Sequence, residues 1–131
     1  MRKTIHLCGF LALLGVWTWK LLEPHPVPDE ITRGLGPRLN FYVAKTLHAG
    51  VYAFLTFLGA TLSPRRKWWL VAFMALHGVG TEIGQTYVPN RTGKVTDVLI
   101  DWAGVAAGVA ALWWWTRSRR ESPPAATGGP L

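Results

Sequence analysis

The sequence predicts an all-α integral membrane protein, a four-helix bundle with both termini in the cytoplasm, and three observations carry that prediction. Half of the 131 residues are hydrophobic and only 16% are charged, against the roughly 25% of an ordinary soluble domain. Apolar runs approaching the roughly 20 helical residues that cross the hydrocarbon core recur four times along the chain. The fourteen Lys and Arg, which leave a formal charge of +7, cluster between those runs, as they do where basic residues hold spans to the cytoplasmic face. The bilayer, and not nucleic acid, is therefore the expected partner. A chain of this length forms one domain. Its lone cysteine, Cys8, excludes a disulfide scaffold or a Cys-rich zinc fold.

The first span runs from Ile5 to Leu22, with Lys20 placed to snorkel to the interface. Its basic start, Arg2-Lys3, and apolar centre are shared with signal peptides. No small-x-small cleavage site follows, only Glu23-Pro24-His25-Pro26-Val27-Pro28, so the segment reads as a retained anchor. The link from Glu23 to Phe41 holds four Pro and two Gly, which favours turns or a short interfacial segment over a helix. The second span, about Tyr42 to Leu62, is apolar except for Lys45 and His48 and stops at Ser63-Pro64-Arg65-Arg66-Lys67. The third, Trp68 to about Tyr87, is apolar as far as Gly80 and then carries Glu82 and Gln85. The fourth, Asp97 to Trp115, has Asp101 as its only further charge and ends at Thr116-Arg117-Ser118-Arg119-Arg120. Residues 1–120 thus form the membrane domain, and the Pro-, Gly- and Ala-rich tail 121–131 is expected to be disordered.

Orientation follows from the basic residues. With both ends inside, the cytoplasmic face takes Arg2, Lys3, Arg65, Arg66, Lys67, Arg117, Arg119 and Arg120, eight residues packed at helix ends. The outer side takes six, spread more widely: Lys20, Arg33, Arg38, Lys45, Arg91 and Lys94. Trp68, Trp69 and Trp113 to Trp115 then make an inner aromatic belt, and Trp17, Trp19, Tyr42 and Tyr87 an outer one.

In this topology Lys45, His48, Glu82, Gln85, Asp97 and Asp101 all fall in the outer part of the bilayer. Counting helical rise places His48, Glu82 and Asp101 each roughly 6 to 9 Å below the outer interface. Lys45, His48 and Tyr52 share one face of the second span, Glu82 and Gln85 one face of the third, and Asp97 and Asp101 one face of the fourth. An ionisable group in lipid turns to a partner or to a water-filled cavity, so three stripes at one depth predict one buried polar cluster. Arg91 and Lys94 on the short outer loop are placed to cap it. The same cations also offset Glu82, Asp97 and Asp101 one for one, which is what a neutral packing network with no ligand requires.

Gly80 with Gly84, and Gly104 with Gly108, are small-x-x-x-small pairs that would let the third and fourth spans approach closely. His77, nearer mid-membrane, reads as a hydrogen-bonded packing residue, and His6 and His25 as interface and loop residues. No ligand-spacing motif such as H-E-x-x-H joins His48 to Glu82 or Asp101, so neither a metal nor another cofactor is expected. Ser63, Ser118 and Ser122 belong to the cytoplasmic side and Cys8 to the inner end of the first span. No activated nucleophile reaches the outer cluster, which favours binding over catalysis. Hydrolysis would need water activated by His48 or a carboxylate. Lys45, Arg91 and Lys94 are suited to the phosphate or carboxylate of an amphiphile.

At these residues the sequence resembles the VanZ-like family of small bacterial membrane proteins, named for a component of glycopeptide-resistance gene clusters. The run Glu82-Ile-Gly-Gln85-Thr-Tyr87-Val-Pro89-Asn-Arg91, followed by Asp97-Val-Leu-Ile-Asp101-Trp-Ala-Gly104-Val-Ala-Ala-Gly108, is similar to the family's E-x-x-Q-x-[FY]-x-P-x-R and D-x-x-x-N-x-x-G-x-x-x-G. Lys45-Thr-Leu-His48-Ala-Gly-Val-Tyr52 is similar to its D-K-x-x-H-x-x-x-Y. Together these cover about half of the chain. Ala44 stands where the family usually has Asp, and Asp101 where it mostly has Asn, so a carboxylate has moved rather than vanished. The resemblance implies a multi-pass protein of the bacterial inner membrane, linked at family level to lowered susceptibility to teicoplanin-type antibiotics, and it supplies no mechanism.

Three roles follow from the sequence. In the leading one the cluster of Lys45, His48, Tyr52, Glu82, Gln85, Arg91, Asp97 and Asp101 recognises the polar head of an amphiphile, an antibiotic or a lipid-linked envelope precursor. In the second, His48 and the carboxylates perform general acid–base chemistry on an envelope lipid. In the third the cluster only holds helices together. A transport role would need a homo-oligomer assembled through the glycine faces, because four short helices enclose little pathway.

Overall fold

The computed structural model describes residues 2–24, 36–89 and 91–121, which form helices and short connections with no strand. The helices are α1 (Arg2–Leu22), α2 (Pro37–Leu62), α3 (Lys67–Gln85) and α4 (Val95–Glu121), and a single 3-10 turn, Pro64–Arg66, joins α2 to α3. α2 and α4 pack most closely, α3 lies against both, and α1 packs on α2 and α3.

Two helix ends differ from the sequence reading by more than about one helical turn. α2 starts at Pro37 and not at Tyr42. Gly36 supplies an extended N-cap (φ −64°, ψ 160°), and proline in the first helical turn loses no hydrogen bond while its ring presets φ. Residues 37–41 are therefore helical, against the expectation of a non-helical link, and the rest of that link, residues 25–35, lies outside the described residues. α4 continues past Trp115 to Glu121. Arg117 to Arg120 are good helix formers, and the first strong breakers in the sequence are Pro123 and Pro124. The tail expected to be disordered falls, beyond Glu121, outside the described residues.

α1, α2 and α4 are each long and apolar enough to cross a membrane, over Thr4–Leu22, Arg38–Leu62 and Val95–Arg120. α3 has 19 residues, about 28 Å at helical rise, but His77, Thr81, Glu82 and Gln85 lower its hydropathy. Thr81, Glu82 and Gln85 are buried against the other helices, while Trp69, Phe73, Leu76 and Ile83 face outward. α3 thus reverses the arrangement of a soluble helix, with polar groups inside and apolar groups on the surface.

The apolar core is small: Phe10, Leu14 and Leu21 of α1, Tyr52 and Leu55 of α2, Met74 of α3 and Val105 of α4. Many large apolar side chains remain exposed, among them Ile5, Leu11, Trp19, Phe54, Trp68 and Trp113. In water such a surface would be strongly unfavourable; in a bilayer it is the face the lipid covers.

The α2–α4 seam explains the tight packing. A Cβ at Gly108 would stand 2.5 Å from the Ala53 carbonyl oxygen and 2.9 Å from Thr56 Cβ. One at Gly104 would meet the Ala49 carbonyl and, at 2.9 Å, Tyr52 Cβ. This pair therefore serves α4 on α2, not α4 on α3 as the sequence reading had it. The other pair does not make that contact either. Gly80 has open space where a side chain would go, and a Cβ on Gly84 would meet Leu22 of α1. The glycine that lets α3 approach α4 is Gly78, where a Cβ would lie 3.2 Å from Asp101 Cβ. The physical reason is helical phase, because the face of α3 turned inward is the Gly78, Thr81, Glu82 and Gln85 face, and Gly80 points away from it.

Candidate functional site: a buried polar cluster

Polar residues from α2, α3 and α4 meet at one end of the bundle. Lys45 forms an ion pair with Asp97, linking the start of α2 to the start of α4. One turn further along both helices, His48 Nδ1 donates to Asp101 Oδ1 at 3.1 Å. The Trp17 ring of α1 meets the His48 ring in a T-shaped contact at a centroid distance of 5.7 Å. Glu82 of α3 accepts the backbone N–H of Lys94 through Oε2 at 2.8 Å. The loop can come this close because residue 93 is glycine, whose Cα lies against the Glu82 carbonyl with no room for a side chain. His48, Glu82 and Asp101 each offer a ligand atom, and the three atoms lie within 4.8 Å of one another.

Burial is nearly complete: Glu82 is 4% exposed, Gln85 1%, and Tyr52 and Asp101 0%. Yet Glu82 Oε1, Gln85 Nε2 and Asp101 Oδ2 have no hydrogen-bond partner. Buried polar atoms are nearly always partnered, so three orphans in one cluster distinguish it from an ordinary packing network.

Deeper in the bundle a second chain of hydrogen bonds begins at Tyr52. Thr18 donates to the Leu14 carbonyl at 2.7 Å, which uses its one hydrogen. The contact between Thr18 Oγ1 and His77 Nε2 at 2.9 Å is then a donation from the imidazole. His77 Nδ1 is left as an acceptor, and the Tyr52 hydroxyl donates to it at 2.9 Å. The tyrosine oxygen also lies 3.3 Å from the Thr81 hydroxyl. His77 thus ties α1 to α2, and Tyr52 joins this chain to the cluster.

Of the eight residues singled out in the sequence, the structure brings Lys45, His48, Glu82, Asp97 and Asp101 into direct pairs or mutual proximity, with Tyr52 and Gln85 buried. The Arg91 guanidinium instead donates to the Glu23 carbonyl at 3.5 Å, fastening the loop before α4 to the end of α1. Lys94 contributes its backbone N–H, and residue 94 itself is exposed. The one-for-one charge balance of the sequence reading is therefore formed only at Lys45 and Asp97. Thr18 and Thr81 were not anticipated, and Trp17, read from the sequence as part of the outer aromatic belt, packs instead on His48. Thr81 was legible as part of the α3 stripe His77, Thr81, Glu82, Gln85, but a tryptophan and a threonine in an apolar span carry no signal of which way they face.

A match to the VanZ/LLP1 family covers residues 10–116. The chain belongs to the VanZ/LLP1 family. With three helices apolar enough to cross a bilayer, it is a membrane protein of that family. Neither the curated proteins nor the solved structures provide a match. The matched VanZ/LLP1 region contains α2 and α3 entire, the larger part of α1 and of α4, and every residue of the cluster.

Proposed function

We propose that this is a multi-pass protein of the bacterial inner membrane whose cluster binds the polar head of an amphiphile, an antibiotic or a lipid-linked envelope precursor, and so lowers glycopeptide susceptibility. The observation that carries the proposal is the set of unpartnered buried atoms, Glu82 Oε1, Gln85 Nε2 and Asp101 Oδ2, at the meeting point of α3 and α4. A cluster built only for packing would have its hydrogen bonds satisfied internally. An open, mainly apolar pocket of about 230 Å³ lies beside it, lined by Glu82, Gly93 and Lys94 together with Val79, Ile83 and Val98, and gives an amphiphile a place to sit next to the cluster. α3, with its polar face inward and apolar face outward, is a fourth crossing of the kind that lines a polar site within a bilayer.

The test is susceptibility to a glycopeptide panel in a sensitive host expressing wild type, Glu82→Ala or Gln85→Ala, with the protein in the membrane quantified. Protection by wild type alone at equal abundance supports the site. Equal protection by all three, or by none, refutes it, and selective disappearance of the variants from the membrane favours a structural role. A second reading, general acid–base chemistry on an envelope lipid, is favoured by the His48–Asp101 pair, since a carboxylate commonly orients a catalytic imidazole. It requires turnover of a lipid substrate by the purified protein, lost on His48→Gln.

A further inference from the structure

We propose that His48, Glu82 and Asp101 form a site for one divalent transition-metal cation of the zinc class. Each donor comes from a different helix, α2, α3 and α4, and each is more than nine-tenths buried. Sequence spacing could not reveal such a site, because motifs of the H-E-x-x-H kind record only ligands carried on one helix.

The donor set and the distances fit the cation. One imidazole nitrogen with two carboxylate oxygens suits zinc, cobalt or manganese, whereas calcium and magnesium prefer more oxygen ligands and retained water. Around a tetrahedral ion with bonds of about 2.0 to 2.1 Å, ligand atoms stand roughly 3.4 Å apart. His48 Nδ1 and Asp101 Oδ1 are already 3.1 Å apart. The widest separation among the three donors is no more than 4.8 Å, within roughly 1.4 Å of that spacing. A cation here would replace the proton that His48 and Asp101 share.

Charge favours the same reading. Lys45 is committed to Asp97, so among the described residues the hydrogen bonds to Glu82 and Asp101 come from a backbone N–H and the imidazole, and neither carboxylate has a Lys or Arg ion-pair partner. Two buried carboxylates without a full counter-charge are costly in a bilayer, and a doubly charged cation offsets both. Each acid also keeps one buried oxygen free of any hydrogen bond, Glu82 Oε1 and Asp101 Oδ2. The supporting shell is present too. The Lys94 N–H holds Glu82 through its other oxygen, and the Trp17 ring packs at 76° to the imidazole. Three protein ligands leave a fourth position open, the arrangement of a site that meets a water or a phosphate oxygen and not of a closed structural one. The cation needs no amphiphile in order to bind.

The experiment uses the full chain, purified in detergent without a histidine tag and in a Cys8→Ser background, since the exposed Cys8 thiol is a competing ligand. Co²⁺ is titrated near pH 7, visible absorption is recorded, and bound metal is counted after gel filtration. The expected result is about one Co²⁺ per chain with zinc-displaceable d–d bands, and a fall in affinity of at least about tenfold in Glu82→Gln and in Asp101→Asn. His77→Gln, outside the donor set, should bind as the parent does. Absence of bound Co²⁺ and Zn²⁺ in the monodisperse parent protein overturns the proposal without needing any variant. So does unchanged affinity in both carboxamide variants. Metal alone is read, so its failure leaves the amphiphile reading to the susceptibility test, and the converse holds.

Discussion

Gly108 and Gly80 allow one methyl group to be placed either in the α2–α4 seam or in open space, and the difference between the two outcomes isolates the packing of that seam. Alanine at either position gains the same helix propensity, about 1 kcal/mol by measurements in water. At Gly80 nothing lies within 4 Å of the new carbon, so Gly80→Ala should be neutral or stabilising. At Gly108 the carbon would lie 2.5 Å from the Ala53 carbonyl oxygen, 2.9 Å from Thr56 Cβ and 3.2 Å from the Ala53 carbonyl carbon. Two of these neighbours are helical backbone and cannot rotate away, so α4 must retreat by several tenths of an ångström. Overpacking of this kind costs about 1 to 3 kcal/mol, and a backbone obstacle points to the upper half of that range. Because the propensity gain cancels between the variants, Gly108→Ala should be less stable than Gly80→Ala by about 2 to 3 kcal/mol, or roughly 8 to 12 °C in melting midpoint for a chain of this size. The assay is thermal unfolding in detergent micelles followed by the emission of the eight tryptophans. A separation below about 0.5 kcal/mol would refute the placement of Gly108 against α2, since surface substitutions away from such contacts fall within that range.

Three further outcomes follow from the polar interior. Lys45→Met leaves Asp97 without its partner and should cost about 2 kcal/mol, while Lys45→Met with Asp97→Leu should recover most of the loss; the same melting assay checks both. His77→Phe deprives Thr18 and Tyr52 of the imidazole between them, and a loss of about 1 to 2 kcal/mol is expected, larger than the loss in a Thr18→Val variant of the same background, where one of the two contacts survives. Gly93→Val forces the loop away from the Glu82 carbonyl and so breaks the Lys94 N–H contact to Glu82; native-state amide exchange at residue 94 should accelerate, and unchanged protection would count against that loop geometry.

Helix number, helix type and the inner face of each span were legible because they depend on local pattern. Lys45, His48 and Tyr52 recur at helical spacing, and so do Glu82 with Gln85 and Asp97 with Asp101. Each stripe had to face inward, since the alternative was an ionisable group against lipid. The pairing between stripes was a different matter. Which cation meets which carboxylate depends on rotation and translation of whole helices, and these are set by contacts with no sequence signature. Gly104 and Gly108 seat α4 on the Ala49 and Ala53 carbonyls, which fixes the register that sets Asp97 beside Lys45 and Asp101 beside His48. Arg91, read from the sequence as a cap for the cluster, reaches the Glu23 carbonyl instead. The carboxylate at position 101 acquires its meaning only in this register. An amide there would donate to or accept from His48 as a neutral partner, whereas the carboxylate adds a second negative charge within 4.8 Å of Glu82. The register thus converts a single side chain of α4 into the electrostatic feature on which both the head-group reading and the cation site depend.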